Sequence, residues 1–275
     1  MATRIAIAGS AHIVRGVTAA LNTHAALHDA HELELVPTAD PWGASDWKRL
    51  GVDVVIDWSG HDARQHLAAG ANKVLCCTPG TPALDLTVVY GVNHLQLRRD
   101  HRCVHAACCA THCIAPVARV LHFALGISRG VLTMMPRSDL YPGVVEEPSP
   151  HTGISHYLHR VLPGLERCFE DTDPVSVSGG GFSRVGMVFI AQRDTTREEV
   201  NALIQCASFG AYADIVRYAD TPLRPLVSDD DPHSCLFEAN MTRVSGRVVK
   251  VCAAYRDDLG FCHRLIDTVS MMARV

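Results

Sequence analysis

The sequence predicts an α/β chain in two parts: a doubly wound parallel sheet, then an α+β domain with a mostly antiparallel sheet. Three observations carry this reading. Over the first third, short β-branched runs alternate with helix-period segments, the pattern of buried parallel strands joined by helices. Past the middle, longer strand-like runs follow one another with fewer helices between them. Between the two patterns stands a cysteine cluster, Cys108-Cys109-Ala110-Thr111-His112-Cys113, at the head of a helical run.

The elements follow in order. Arg4 to Ala8 is a short apolar strand that stops at Gly9. Ile13, Val17 and Leu21 recur at four-residue spacing and predict a helix. Strands are expected over Leu33 to Val36 and Val52 to Ile56, and a helix from Ala63 to Ala69 stops at Gly70. Val74 to Cys77 and Leu86 to Val92 read as two further strands. Such sheets bind ligands beyond the carboxyl ends of their strands. A Rossmann-like dinucleotide fingerprint asks there for three small residues. Here they are Gly9, Ala11 and Val14, so the first is intact, the second nearly so and the third lost; His12 and Ile13 fall within the same stretch. Asp40 follows the second strand, where an acid holds the ribose hydroxyls and repels a 2′-phosphate, favouring NAD over NADP.

In the second part, Ile114, Val117, Val120, Leu121 and Ala124 mark a helix that the cysteine cluster opens. Gly130 to Met135 and Ser183 to Gln192 predict long strands. Thr196 with Glu199 is a capping box for a helix to about Ala207. Asp214 to Tyr218, Cys235 to Ala239 and Arg247 to Tyr255 add strands. The last helix carries Cys262, Leu265, Ile266, Val269 and Met272 on one face.

Composition bounds the function. With 275 residues, 48% of them hydrophobic, the chain can bury a large core. A net charge of -4 gives no footprint for nucleic acid or an anionic membrane. No apolar run approaches a membrane span, and the start of the chain runs into a strand without a signal-peptide pattern. Eleven cysteines are an odd number for a disulfide framework, so a reduced, cytoplasmic protein is expected. Cys103, Cys108, Cys109 and Cys113, with His101, His105 and His112 nearby, are the right types for zinc. They lack the usual two ligand pairs, so no metal is expected. A cysteine at a helix start faces unsatisfied N–H groups and the positive end of the helix dipole, which favours the thiolate. Cys109 is thereby a candidate nucleophile.

Several motifs then fall in one order. Ala39-Asp40-Pro41-Trp42, the strand ending Asp57-Trp58-Ser59-Gly60, Thr78-Pro79, Gly91-Val92-Asn93-His94 and Ala107-Cys108-Cys109-Ala110-Thr111-His112-Cys113-Ile114-Ala115-Pro116 appear in succession. Thr152-Gly153 with Val161-Leu162-Pro163, Asp231 to Ala239 and Tyr255 to Asp267 complete the series. In these motifs the chain resembles the glyceraldehyde-3-phosphate dehydrogenase family, in a divergent and shortened form.

The resemblance implies a nucleotide-binding domain over residues 1–108, completed by the helix of residues 259–275, and a catalytic domain over residues 109–258. It puts Cys109 on the catalytic cysteine, which attacks an aldehyde to give a thiohemiacetal, passes hydride to NAD and leaves a thioester. It places Ser59, Gly60 and Thr78 beside the cofactor, and Asp257 at the nicotinamide-contacting asparagine. Thr111, Thr152, Gly153 and Arg184 become anion contacts. It also implies a homo-oligomer, a dimer or tetramer, acting on a small-molecule aldehyde. Pro136 stands where the family has a histidine that moves protons, and His112 or His151 is the substitute. Asp139 falls near a phosphate-binding threonine and would repel a phosphate ester. An oxidoreductase of altered substrate or weak activity is expected; the alternative is a degenerate member that binds a ligand or partner without turnover.

Overall fold

The computed structural model describes residues 2–27, 33–38, 46–78, 85–137, 153–177, 181–223, 227–228, 231–256 and 259–275, without the side chains of 24–27. The chain forms two compact units, Met1–Ala107 with Cys262–Val275, and Cys108–Phe261.

The first unit is built on a six-stranded sheet. Its strands are β1 (Thr3–Ala8), β2 (Leu33–Leu35), β3 (Val54–Asp57), β4 (Lys73–Cys76), β5 (Leu86–Thr87) and β6 (Cys103–His105). They lie in the order β2-β1-β3-β4-β6-β5, and every pairing is parallel. Parallel strands are covered on both faces, which explains why Ile5, Ala6, Ile7 and Ala8 are consecutive apolar residues and all buried. Strand order reverses across the β1–β3 pair, and a crevice opens at the carboxyl ends of strands where this happens.

Helix α1 (Ala11–Leu27) follows β1; α2 (Trp47–Leu50) and α3 (Ala63–Ala68) precede β3 and β4. A Cβ on Gly16 would lie 2.9 Å from the Cys262 thiol. Gly16 thus sits close against the last helix.

The expected strand from Leu86 to Val92 is shorter, because β5 ends at Thr87. The buried Asn93 side chain turns the chain there, its Oδ1 accepting from the Val89 N–H at 2.9 Å and its Nδ2 donating to the Thr87 carbonyl at 2.8 Å. A side chain that satisfies nearby backbone groups competes with the ladder.

The second unit holds β7 (Ile127–Met135), β8 (Phe169–Asp171), β9 (Ser183–Ala191), β10 (Val216–Ala219), β11 (Cys235–Glu238), β12 (Arg243–Ser245) and β13 (Val248–Tyr255). The expectation of a mostly antiparallel sheet is corrected here. The sheet is mixed, in the order β10-β11-β13-β9-β7-β8 with β12 on β13, and both flanking pairs, β7–β8 and β10–β11, are parallel. A parallel partner needs a crossover connection. The segment between β7 and β8 supplies one, carrying α5 (Ile154–Val161). Strand length is legible in sequence; pairing direction depends on these crossovers.

Helix α4 (Cys109–Leu125) buries Ile114, Ala115, Ala118 and Leu121. Helix α6 (Arg197–Phe209) starts at Thr196, whose hydroxyl accepts from the Glu199 N–H at 3.1 Å. The other half of the capping box is absent, because the Glu199 carboxylate turns to Arg193 and Thr195. Helix α7 (Leu259–Arg274) buries all five residues of its predicted apolar face. Among the described residues, no helix is long and apolar enough to cross a membrane.

Candidate active site

Helix α4 begins at Cys109, with Cys108 as an extended N-cap at φ −127° and ψ 162°. The preceding residue, Ala107, is left-handed at φ 53°, which costs an L-residue about 1–2 kcal/mol. His105 braces that turn: its Nδ1 accepts from the Ala107 N–H at 2.9 Å, and its Nε2 lies 2.9 Å from the Thr78 carbonyl. An amide only donates, so Nδ1 is the acceptor and the ring proton sits on Nε2. His105→Ala is expected to cost about 1–2 kcal/mol, one lost buried hydrogen bond and a freed turn. A denaturant midpoint equal to the parent's would show that the turn holds itself.

The three cysteines of the cluster differ in setting. Cys113 is fully buried, its thiol 3.5 Å from the Ala254 carbonyl, and burial together with Cys235 pushes its pKa well up. Burial also raises the Cys108 thiol, against the opposing hydrogen bonds of Thr111 and Ala110. The Cys108 Sγ lies 3.1 Å from the hydroxyl of Thr111, itself fully buried. Cys109 is partly exposed and occupies the first helical position, where backbone N–H groups lack intrahelical acceptors. All eleven cysteines are among the described residues, and no disulfide joins any of them.

The other expected residues have settings of their own. His112 is 1% exposed, with its ring edge-on to Phe261 at 5.2 Å. Arg184 forms a bidentate pair with Glu238 at 2.8 and 3.3 Å, so its guanidinium is engaged within the protein. Burial and the same Glu238 push the neighbouring Cys252 thiol up to about 12. Gly153 caps α5. Asp40, His151, Thr152 and Asp257 lie outside the described residues.

In the first unit, the topology gathers Gly9, Ala11, His12, Ile13, Ser59 and Gly60 at the carboxyl ends of β1 and β3. A Cβ on Gly9 would lie 2.9 Å from the Cβ of Trp58, so no larger residue fits that pass. Ala11 and His12 are exposed at the start of α1, and the first turn of α1 has no acidic residue to offset its positive end. Thr78 stands past the end of β4.

Two groups escaped sequence reasoning. Beneath Ser59, a buried chain runs from Asp57 through His66 to Trp47: the Trp47 indole donates to His66 Nδ1 at 3.1 Å, and His66 Nε2 lies 3.5 Å from Asp57. Asp171, at the end of β8, holds the start of α5. Neither had a local signal; Asp171 follows Glu170 in a short acidic stretch that reads as solvated surface.

A family model for the C-terminal domain of glyceraldehyde 3-phosphate dehydrogenase matches residues 108–257. The glyceraldehyde-3-phosphate dehydrogenase of Pseudomonas aeruginosa is 39% identical over 247 residues, covering 82% of this chain and 73% of the relative. The chain belongs to the glyceraldehyde-3-phosphate dehydrogenase family. It is thereby a glyceraldehyde-3-phosphate dehydrogenase-like oxidoreductase, and the matched C-terminal domain begins at Cys108, one residue before α4. Among the described residues of this family member, no three His, Cys, Asp or Glu side chains group as a metal site.

Proposed function

We propose that this family member oxidises an aldehyde through Cys109, with NAD as the hydride acceptor and the two units serving as nucleotide-binding and catalytic domains. The observation that carries this is the position of Cys109, partly exposed at the first residue of α4, beside two cysteines that burial holds as thiols. The Cys109 sulfur adds to the aldehyde carbon to form a thiohemiacetal. The positive end of α4 favours both the thiolate and the developing oxyanion. Bound NAD supplies the hydride acceptor, and the product left on Cys109 is a thioester.

The crevice suits that cofactor. Gly9 allows the backbone to pass closely, and the unneutralised start of α1, exposed at Ala11 and His12 and followed by the buried Ile13, suits a pyrophosphate. Ser59, Gly60 and Thr78 flank it; Asp40 and Asp257 take the ribose and nicotinamide positions by resemblance. Pro136 cannot move a proton, so a histidine must serve. His112 is buried against Phe261, which favours His151, beside Thr152 in sequence, as the base. Engagement of Arg184 by Glu238 supports a substrate other than a phosphate ester, on a homo-oligomeric enzyme.

Isothermal titration tests the reading first. Micromolar NAD binding, weaker NADP binding, and weakening by Asp40→Ala are the expected results. An aldehyde panel follows, read as NADH formation. Failure to bind either nucleotide would instead favour a degenerate member that binds a ligand or partner, a reading that Pro136 and the lost third glycine motivate.

A further inference from the structure

The start of α5 already holds an anion that belongs to the chain. Asp171 reaches over from the end of β8. The Ser155 N–H donates to its Oδ1 and Oδ2 at 3.1 and 3.2 Å, and the Ser155 hydroxyl donates to Oδ2 at 2.6 Å. A Cβ on Gly153 would collide with the same Oδ2, so the carboxylate rests on the glycine that caps the helix. Helix α5 packs against both α4 and β8, which brings this carboxylate to the side of the helix that Cys109 begins. Its charge is felt at the residue before Cys109: burial is the main reason the Cys108 thiol is raised, and Asp171 adds to it.

A helix start with open N–H groups is where an anion binds most readily. Here the Ser155 N–H and hydroxyl are taken by Asp171, and the carboxylate makes the local charge negative. We propose that Asp171 sets the acyl acceptor, its carboxylate excluding inorganic phosphate from the start of α5 so that the Cys109 thioester is released to water. This rests on the thioester reading above. Water oxygen adds to the thioester carbon, and the C–S bond breaks with its electron pair going to Cys109 Sγ. The carboxylic acid and the thiol are the products, each keeping one proton of the water. The net reaction is hydrolysis, with no further redox change.

The test avoids hydride transfer altogether. p-Nitrophenyl acetate acylates the Cys109 thiol of the full chain, and loss of the acetyl group is followed by intact mass with and without millimolar inorganic phosphate. The parent is expected to deacylate at a rate that phosphate changes by less than about twofold, releasing acetate. Asp171→Asn keeps the side-chain size and an acceptor for Ser155, and is expected to gain about tenfold acceleration by phosphate, releasing acetyl phosphate. Asp171→Ser carries the same expectation if the amide variant does not fold. Phosphate-driven release of acetyl phosphate by the parent overturns the proposal, as do folded variants that stay insensitive to phosphate. Absence of any acetyl group on Cys109 overturns the thioester reading and the proposal with it.

Discussion

Cys109→Ser is expected to lower aldehyde-dependent NADH formation by about 10⁴-fold or more while leaving the fold intact. The sulfur is the group that must be an anion at neutral pH. A thiol at a helix start reaches that state readily, whereas a serine hydroxyl there does not without a strong base. By resemblance, Pro136 stands where the family pattern would supply one. The neighbours provide the control. Cys108→Ser changes a thiol that burial keeps protonated and that bonds to the Thr111 hydroxyl, so about threefold or less is expected. Iodoacetamide labelling followed by peptide mapping gives a readout independent of substrate. Cys109 should be alkylated well before Cys108 and Cys113. Equal labelling of the three, or activity retained in Cys109→Ser, would remove Cys109 from the mechanism.

The sequence shows the fold most clearly where one residue pattern determines one environment. The run from Ile5 to Ala8 is legible because a parallel strand needs apolar residues on both faces, and the face of Cys262, Leu265, Ile266, Val269 and Met272 because a helix repeats every 3.6 residues. Three-residue strands such as Cys103–His105 and Phe169–Asp171 carry too few positions for any period to show. The parallel pairing of β7 with β8 was hidden for another reason: it depends on a crossover, which strand composition does not encode.

The same division holds for the site. Cys109 is legible as a candidate nucleophile because the cue is local to one helix start. Arg184 reads as an anion contact, and its ion pair with Glu238, 54 residues away, has no local signal. Asp171 and Ser155 are 16 residues apart and meet only because β8 returns alongside α5. The two helix starts also contrast. That of α1 is exposed and without an acidic residue, whereas that of α5 is covered by Asp171. One suits an external anion; the other has been given an internal one.

His66→Leu is expected to destabilise the first unit by about 3–5 kcal/mol at neutral pH, the range for removing one partner of a buried charge. Asp57 is 0% exposed and His66 1%. Burial raises the Asp57 pKa, but the hydrogen bonds from His66 and from the Ser59 hydroxyl and N–H outweigh it, so the carboxyl sits below its ordinary value. A carboxylate depressed in the folded state contributes stability that is present above its unfolded pKa of about 3.9 and is lost as pH falls through the folded value. In the parent, this contribution should therefore be constant from neutrality to about pH 5 and decline below about pH 4. Without His66, burial acts with less opposition and the Trp47 indole loses its acceptor. The Asp57 pKa should then rise, and protonation at low pH should relieve the variant. The stability gap between parent and His66→Leu should accordingly narrow as pH falls, in urea melts at neutral pH and at about pH 4. Adding Asp57→Asn removes the buried charge and should recover more than half of the loss. A gap that stays constant with pH, or a double variant no more stable than His66→Leu, would show that the cost comes from packing around Trp47.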